Sequence, residues 1–92
     1  MNKVDPTPDR ARARALNVLT EAMDAADIEL YDAERAGNRT SRIALLLERA
    51  RLWRQYGELL EAAGREAWTA YGCARRDHAE ALKLQAEIEA SG

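Results

Sequence analysis

The chain has 92 residues, 14 of them Lys or Arg and 16 Asp or Glu, for a net charge of −2. That length supports one small domain, 1–92, and the near-balanced charge excludes a generally basic protein that coats nucleic acid. Cys73 is the only cysteine and His78 the only histidine, so neither an intrachain disulfide nor a Cys/His zinc site is available to reinforce a marginal core, and a second subunit is the device left.

Residues 1–6 read as a flexible N-terminus. The first helix is expected over 8–36: Thr7 can cap it, Pro8 suits its first position and Asp9 places negative charge in its first turn. Leu16, Leu19, Met23, Ala26, Leu30 and Ala33 then return at spacings of three and four, a heptad seam. Gly37 follows as a stop, because glycine readily takes the left-handed conformation after a helix end. Asn38, Thr40 and Ser41 are all competent to cap the next helix, and so short a link makes the two helices antiparallel neighbours, a helical hairpin.

The second segment, 40–90, has no proline and two apolar stripes. The main one passes through Ile43, Leu46, Ala50, Trp53, Gly57, Leu60, Gly64, Ala67, Tyr71, Ala74 and Ala81, with His78 also in phase. A second holds Leu45, Leu52 and Leu59, with Tyr56 beside them. Two stripes cover more of a helix than one neighbour needs. The main stripe is assigned to helix 1, with Ala50, Gly57 and Gly64 receiving Leu16, Leu19 and Met23. The Leu45–Leu52–Leu59 stripe is left for another chain or for the C-terminal part of this one, and in a homodimer either that stripe or the segment after Gly64 is covered by the second subunit. Gly64 allows two all-α topologies: a long or kinked second helix, or a three-helix bundle broken at Gly64. Gly64-Arg65-Glu66 holds no Ser, Thr, Asp or Asn to cap a new helix, which favours the long helix and a dimeric bundle.

Trp-x-x-Tyr-Gly occurs twice, at Trp53, Tyr56, Gly57 and at Trp68, Tyr71, Gly72. Trp and Tyr frequently anchor interfaces, and tryptophan equally fills a core. The pattern also resembles the start of a tetratricopeptide signature, but its period is far too short for that family. Leu45, Leu52, Tyr56, Leu59, Trp68 and Tyr71 are the candidate protein-interface residues. No nucleophile, orienting acid or phosphate loop accompanies His78, and no spacing suits a metal, so no catalytic residue, cofactor or metal is assigned.

Arg10, Arg14, Arg54 and Arg65 approach one another if helix 1 packs back on the second, and form the candidate phosphate-binding set. Acidic residues interleave with these arginines, so pairing on neighbouring turns weighs against nucleic-acid binding. No apolar run is long enough to cross a membrane, and the N-terminus has no signal-peptide core, so the cytoplasm is the expected compartment. The skew from Lys to Arg (only Lys3 and Lys83 are lysine) together with abundant alanine suggests a bacterial or phage origin. The expected function is a non-enzymatic helical module, a homodimer, acting as an adaptor or inhibitor on a protein partner. The alternative is a small nucleic-acid-associated factor using the arginine-rich end.

Overall fold

The computed structural model describes residues 7–91, with side chains from Asp9 onward. It contains three helices, α1 Thr7–Ala36, α2 Arg39–Ala62 and α3 Trp68–Ser91, and no strand among the described residues. The expectations for residues 1–6 and for a Thr7 cap lie outside the described part. At the end of α1, Gly37 has φ +69°. The Asn38 amide donates to the Ala33 carbonyl at 2.9 Å and the Gly37 amide to Glu34 at 3.1 Å, so a left-handed glycine closes the helix. Asn38 then caps α2, its side-chain oxygen accepting from the Ser41 amide at 3.0 Å.

The second segment is not one long helix. Gly64 has φ +72°, and the bonds of the first turn recur: the Arg65 amide donates to Leu60 at 2.8 Å and the Gly64 amide to Glu61 at 2.9 Å. The chain therefore reverses after Ala62 and starts again at Trp68, so the expected continuous helix over 40–90 is replaced by two helices. The missing cap is supplied by an unexpected side chain, because the Glu66 carboxylate accepts the Trp68 backbone N–H. A carboxylate there both pairs an orphan donor and opposes the positive end of the helix dipole.

α2 packs on both of its neighbours, whereas α1 and α3 make no close backbone approach to each other among the described residues. Residue numbers fall along α1 and α3 as they rise along α2. Near one end Leu30, Leu46, Ala81 and Leu84 cluster, in the middle Leu19, Met23 and Leu52, and at the other end Leu60, Ala67 and Ala70, with Leu16 against them. The two stripes of the second segment are thus assigned the other way round from the sequence expectation. The stripe not assigned to helix 1 meets α1: Leu52 is buried against Leu19 and Met23, with Leu59 beside it. The small-residue positions face α3: a Cβ added at Gly57 would lie 2.7 Å from Cε1 of Tyr71. The turn at Gly64 also resets the phase of the seam, so that Ala70 and Asp77 point inward where Tyr71 and His78 were expected, and His78 is exposed.

Asp77, only 4% exposed, is the one charged residue buried among those described. Arg49 on α2 grips it with two bonds, Nε to Oδ2 and Nη2 to Oδ1, each 2.8 Å. The third arm of the same guanidinium, Nη1, reaches Asp27 of α1 at 2.5 Å. Hydrogen bonding to Asp77 and then to Asp27 raises the Arg49 pKa, so the cation stays charged. A planar fork is suited to two carboxylates at once, and this one links all three helices at mid-height. Such a pair contributes less to net stability than to register, since a slip of either neighbour leaves a desolvated charge without its partner.

Candidate docking groove between α2 and α3

The close approach of α2 and α3 leaves a shallow groove on the side away from α1, and the sequence of α3 explains its surface. Ala67, Ala70, Ala74, Asp77, Ala81 and Leu84 point inward. One step around the helix, Trp68, Gly72, Arg75, Ala79, Leu82 and Ala86 repeat at four and three, a second seam with no helix upon it among the described residues. Trp68 is 82% exposed and Leu82 52%. From α2 the groove receives Leu47, 40% exposed, and, toward the turn that joins the two helices, Arg54.

Two stretches make up this surface. One is lined by Ile43, Ala44, Leu47 and Ile88, with Thr40, Gln85 and Glu89 at its edge. The other is lined by Arg54, Ala74, Arg75, His78, Ala79 and Leu82. Large apolar side chains at the groove's length, small ones between them and cations on one side form a surface that a further helix can enter.

The candidate interface residues divide. Trp68 stands in the open at the start of α3. Leu52 is buried against α1, and Leu45, Tyr56 and Leu59 are half-buried around the same helix. All four pack around α1 of the same chain, and Leu59 also lines an open groove between α1 and α2. Tyr71 is half-buried over Gly57, its hydroxyl donating to Glu61 at 2.8 Å; that bond pushes the Tyr71 pKa above its ordinary value. Trp53 lies half-buried between two core clusters and meets Tyr56 edge-on, ring centres 5.9 Å apart. The first Trp-x-x-Tyr-Gly copy therefore serves the core, and the second copy opens its tryptophan to solvent.

The four arginines of the alternative reading occupy different settings. Arg10 and Arg14 are exposed on the first turns of α1 and Arg65 in the turn after α2, whereas Arg54 lies beside Arg75 and His78 of α3. Arginine pairing with acids on neighbouring turns is observed for Arg51 with Glu48 at 2.5 Å and Arg12 with Asp9 at 3.5 Å, and Arg42 reaches Glu34 of α1 at 3.8 Å, none of them involving these four arginines. The Arg51 bond holds the Glu48 carboxyl below its usual range.

Leu47, Ala79 and Leu82 were not among the sequence candidates. The four-three spacing of Trp68, Arg75 and Leu82 was available as a signal, but which seam of α3 meets water depends on where α2 lies. Among the described residues no group of three or more His, Cys, Asp or Glu is placed to hold a metal ion, and no helix is long and apolar enough to cross a membrane. Compared with known proteins, the chain matches no family, no characterised protein and no solved structure.

Proposed function

We propose that this chain is a non-enzymatic interaction module, an adaptor or inhibitor working in the cytoplasm, that receives a helix of a partner protein in the groove between α2 and α3. The observation that carries the reading is the exposure along that groove of Leu47 and Leu82, two of the six large apolar side chains left exposed among the described residues, with Trp68 further along the same seam of α3. Contiguous exposed apolar surface rimmed by polar groups is characteristic of interaction sites. A fourth helix laid along the groove would complete a bundle, using Gly72 and Ala79 as the places of close approach.

Photo-crosslinking in cells of the source organism tests this. A crosslinking residue at Ala79 should give an adduct with one defined protein, competed by the unlabelled chain and abolished by Leu82→Asp. The same residue at Asp32, exposed on α1, should give no such adduct. Equal labelling from both positions, or none from Ala79, contradicts the reading.

Self-association is a second reading, favoured by a different surface. Ala15, Val18, Leu19, Gln55, Glu58 and Leu59 line a groove between α1 and α2, and Val18 is largely exposed there. Light scattering on a size-exclusion column separates the two readings: a dimer dispersed by Val18→Glu supports this one, and a monomer at high micromolar concentration removes it.

A further inference from the structure

The groove between α2 and α3 has a sign. Among the described residues no acidic one lines the stretch formed by Arg54, Ala74, Arg75, His78, Ala79 and Leu82. Arg54 and Arg75 take part in no ion pair among the described residues, while Arg12, Arg42, Arg49 and Arg51 each hold a carboxylate. In a chain of net charge −2, this surface is locally cationic. The adjoining stretch, around Ile43, Ala44, Leu47 and Ile88, is apolar, with Glu89 at its far edge.

From this arrangement we infer that the occupant is an acidic amphipathic helix of a partner protein. Its apolar stripe lies over Leu47, Ala79 and Leu82, and its flanking carboxylates reach Arg54 and Arg75. The inference rests on the reading of the groove as a helix-docking site and adds the chemistry of the partner. A helix fits better than an extended segment, because no strand edge is offered among the described residues, and the alternation of large and small residues along α3 is a ridge-and-groove surface. Duplex nucleic acid fits less well: its phosphates favour a broad cationic field, whereas the floor here is apolar and the cations are confined to one stretch. Opposed charges at such a rim chiefly raise the on-rate and select against wrong partners.

Two synthetic helical peptides of about 24 residues, long enough for the ~36 Å of α3, provide the probe. Both carry the same leucine stripe; one has Glu at the flanking positions and the other Lys. Titrated against the intact chain by fluorescence anisotropy, the Glu peptide should bind at least about tenfold more tightly, a difference of ~1.4 kcal/mol. The double variant Arg54→Glu, Arg75→Glu should reverse the preference, and Leu82→Asp should weaken both peptides. All three proteins are compared for helicity and cooperative melting, so that loss of fold is not read as loss of binding; both groups of side chains are exposed, and folding should survive.

Equal affinity for the two peptides, or a preference that survives the charge reversal, overturns the inference. If neither peptide binds while Ala79 still crosslinks to a partner, the acidic helix is wrong and the docking groove stands. If Ala79 gives no adduct either, both fall. Dimerisation of the chain alone, lost in Leu82→Asp, would assign the groove to a second copy, and tight salt-sensitive DNA binding lost in the arginine double variant would assign it to nucleic acid; either overturns it.

Discussion

The two flanks of α2 are built from different materials. Toward α1 the contact is made by long side chains, with Leu19 and Met23 closing on Leu52 and Leu30 on Leu46. Toward α3 the middle of the contact is made by Ala50, Gly57, Ala70, Ala74 and Ala81, all buried, with Tyr71 lying directly over Gly57, and leucines join it only toward the ends, Leu46 with Leu84 and Leu60 with Ala67. The first flank is stabilised by the apolar area it removes from water. The second depends on close approach, where little volume is present and little can be added. The consequence reaches the surface: α3 turns mostly small residues inward, with Leu84 near its end, while Trp68 and Leu82 remain outside, Leu82 in the lining of the groove.

Truncation and enlargement should therefore hurt opposite flanks. Leu52→Ala should cost about 3 kcal/mol, within the usual range for a buried leucine, and Met23→Leu under ~1.5 kcal/mol. On the other flank Ala81→Leu should cost roughly 1–3 kcal/mol or more, although it adds apolar surface. Urea titrations read all three. A harmless Ala81→Leu would mean that α3 does not approach α2 closely.

A smaller effect joins the flanks. Asp77→Ala should cost about 2 kcal/mol, below the 3–5 kcal/mol of a fully buried broken pair, because Arg49 keeps some solvent and retains Asp27. Replacing both partners by apolar residues, Arg49→Met with Asp77→Leu, should recover most of that loss, as measured in a double-mutant cycle. If the double variant is no better than Asp77→Ala, the pair contributes stability of its own and not only register.

Smaller still, the two interior glycines should respond with opposite signs. Around Gly72 the nearest atom to an added Cβ is the Arg75 guanidinium at 4.0 Å, so Gly72→Ala should gain up to about 1 kcal/mol of helix propensity. Gly57→Ala makes the same gain but must push the Tyr71 ring aside, and a net loss of about 1 kcal/mol is expected. Thermal melts should move the two variants in opposite directions; equal stabilisation would place Gly57 away from Tyr71.

The least effect is a pH dependence on the same flank. Tyr71 donates to Glu61 and its pKa is raised. The neutral phenol is thus favoured in the folded state: this contribution is intact below the ordinary tyrosine pKa of about 10 and is lost as pH rises through the folded value. Glu61→Gln should bring Tyr71 back toward its ordinary value in a spectrophotometric titration with Tyr31 and Tyr56 changed to Phe. An unchanged titration would show that the bond is not formed in solution.

The two turns show how far residues alone carry the fold. Gly37 and Gly64 close their helices with the same pair of backbone bonds, yet the first was read as a reversal and the second only as an alternative to a long helix. Asn38 follows Gly37 and caps by a familiar side chain, whereas α3 is capped by the Glu66 carboxylate, a residue type not expected in that position. The seam of α1 was legible because its large residues and its period agree. That of α3 was ambiguous, since Ala70 and Tyr71, or Asp77 and His78, satisfy the three-four spacing equally well. Only the position of Arg49 in space selects Asp77 as an inward residue. The groove was partly legible through Trp68, while Leu47 and Leu82 remained hidden because their exposure follows from the neighbours that α2 and α3 choose.

The return of α3 along α2 creates both the small-residue flank and the groove, and a single distance tests it. Thr40 and Glu89 line the same stretch of the groove, on helices whose axes lie about 10 Å apart in a close contact. Spin labels at these two positions, measured by double electron–electron resonance and diluted with unlabelled chain to remove contributions between molecules, should report a short, narrow distance distribution below about 25 Å, two label arms added to that interaxial spacing. A distance near ~70 Å, the reach of an unbroken helix between the two positions at about 1.5 Å per residue, would contradict the account.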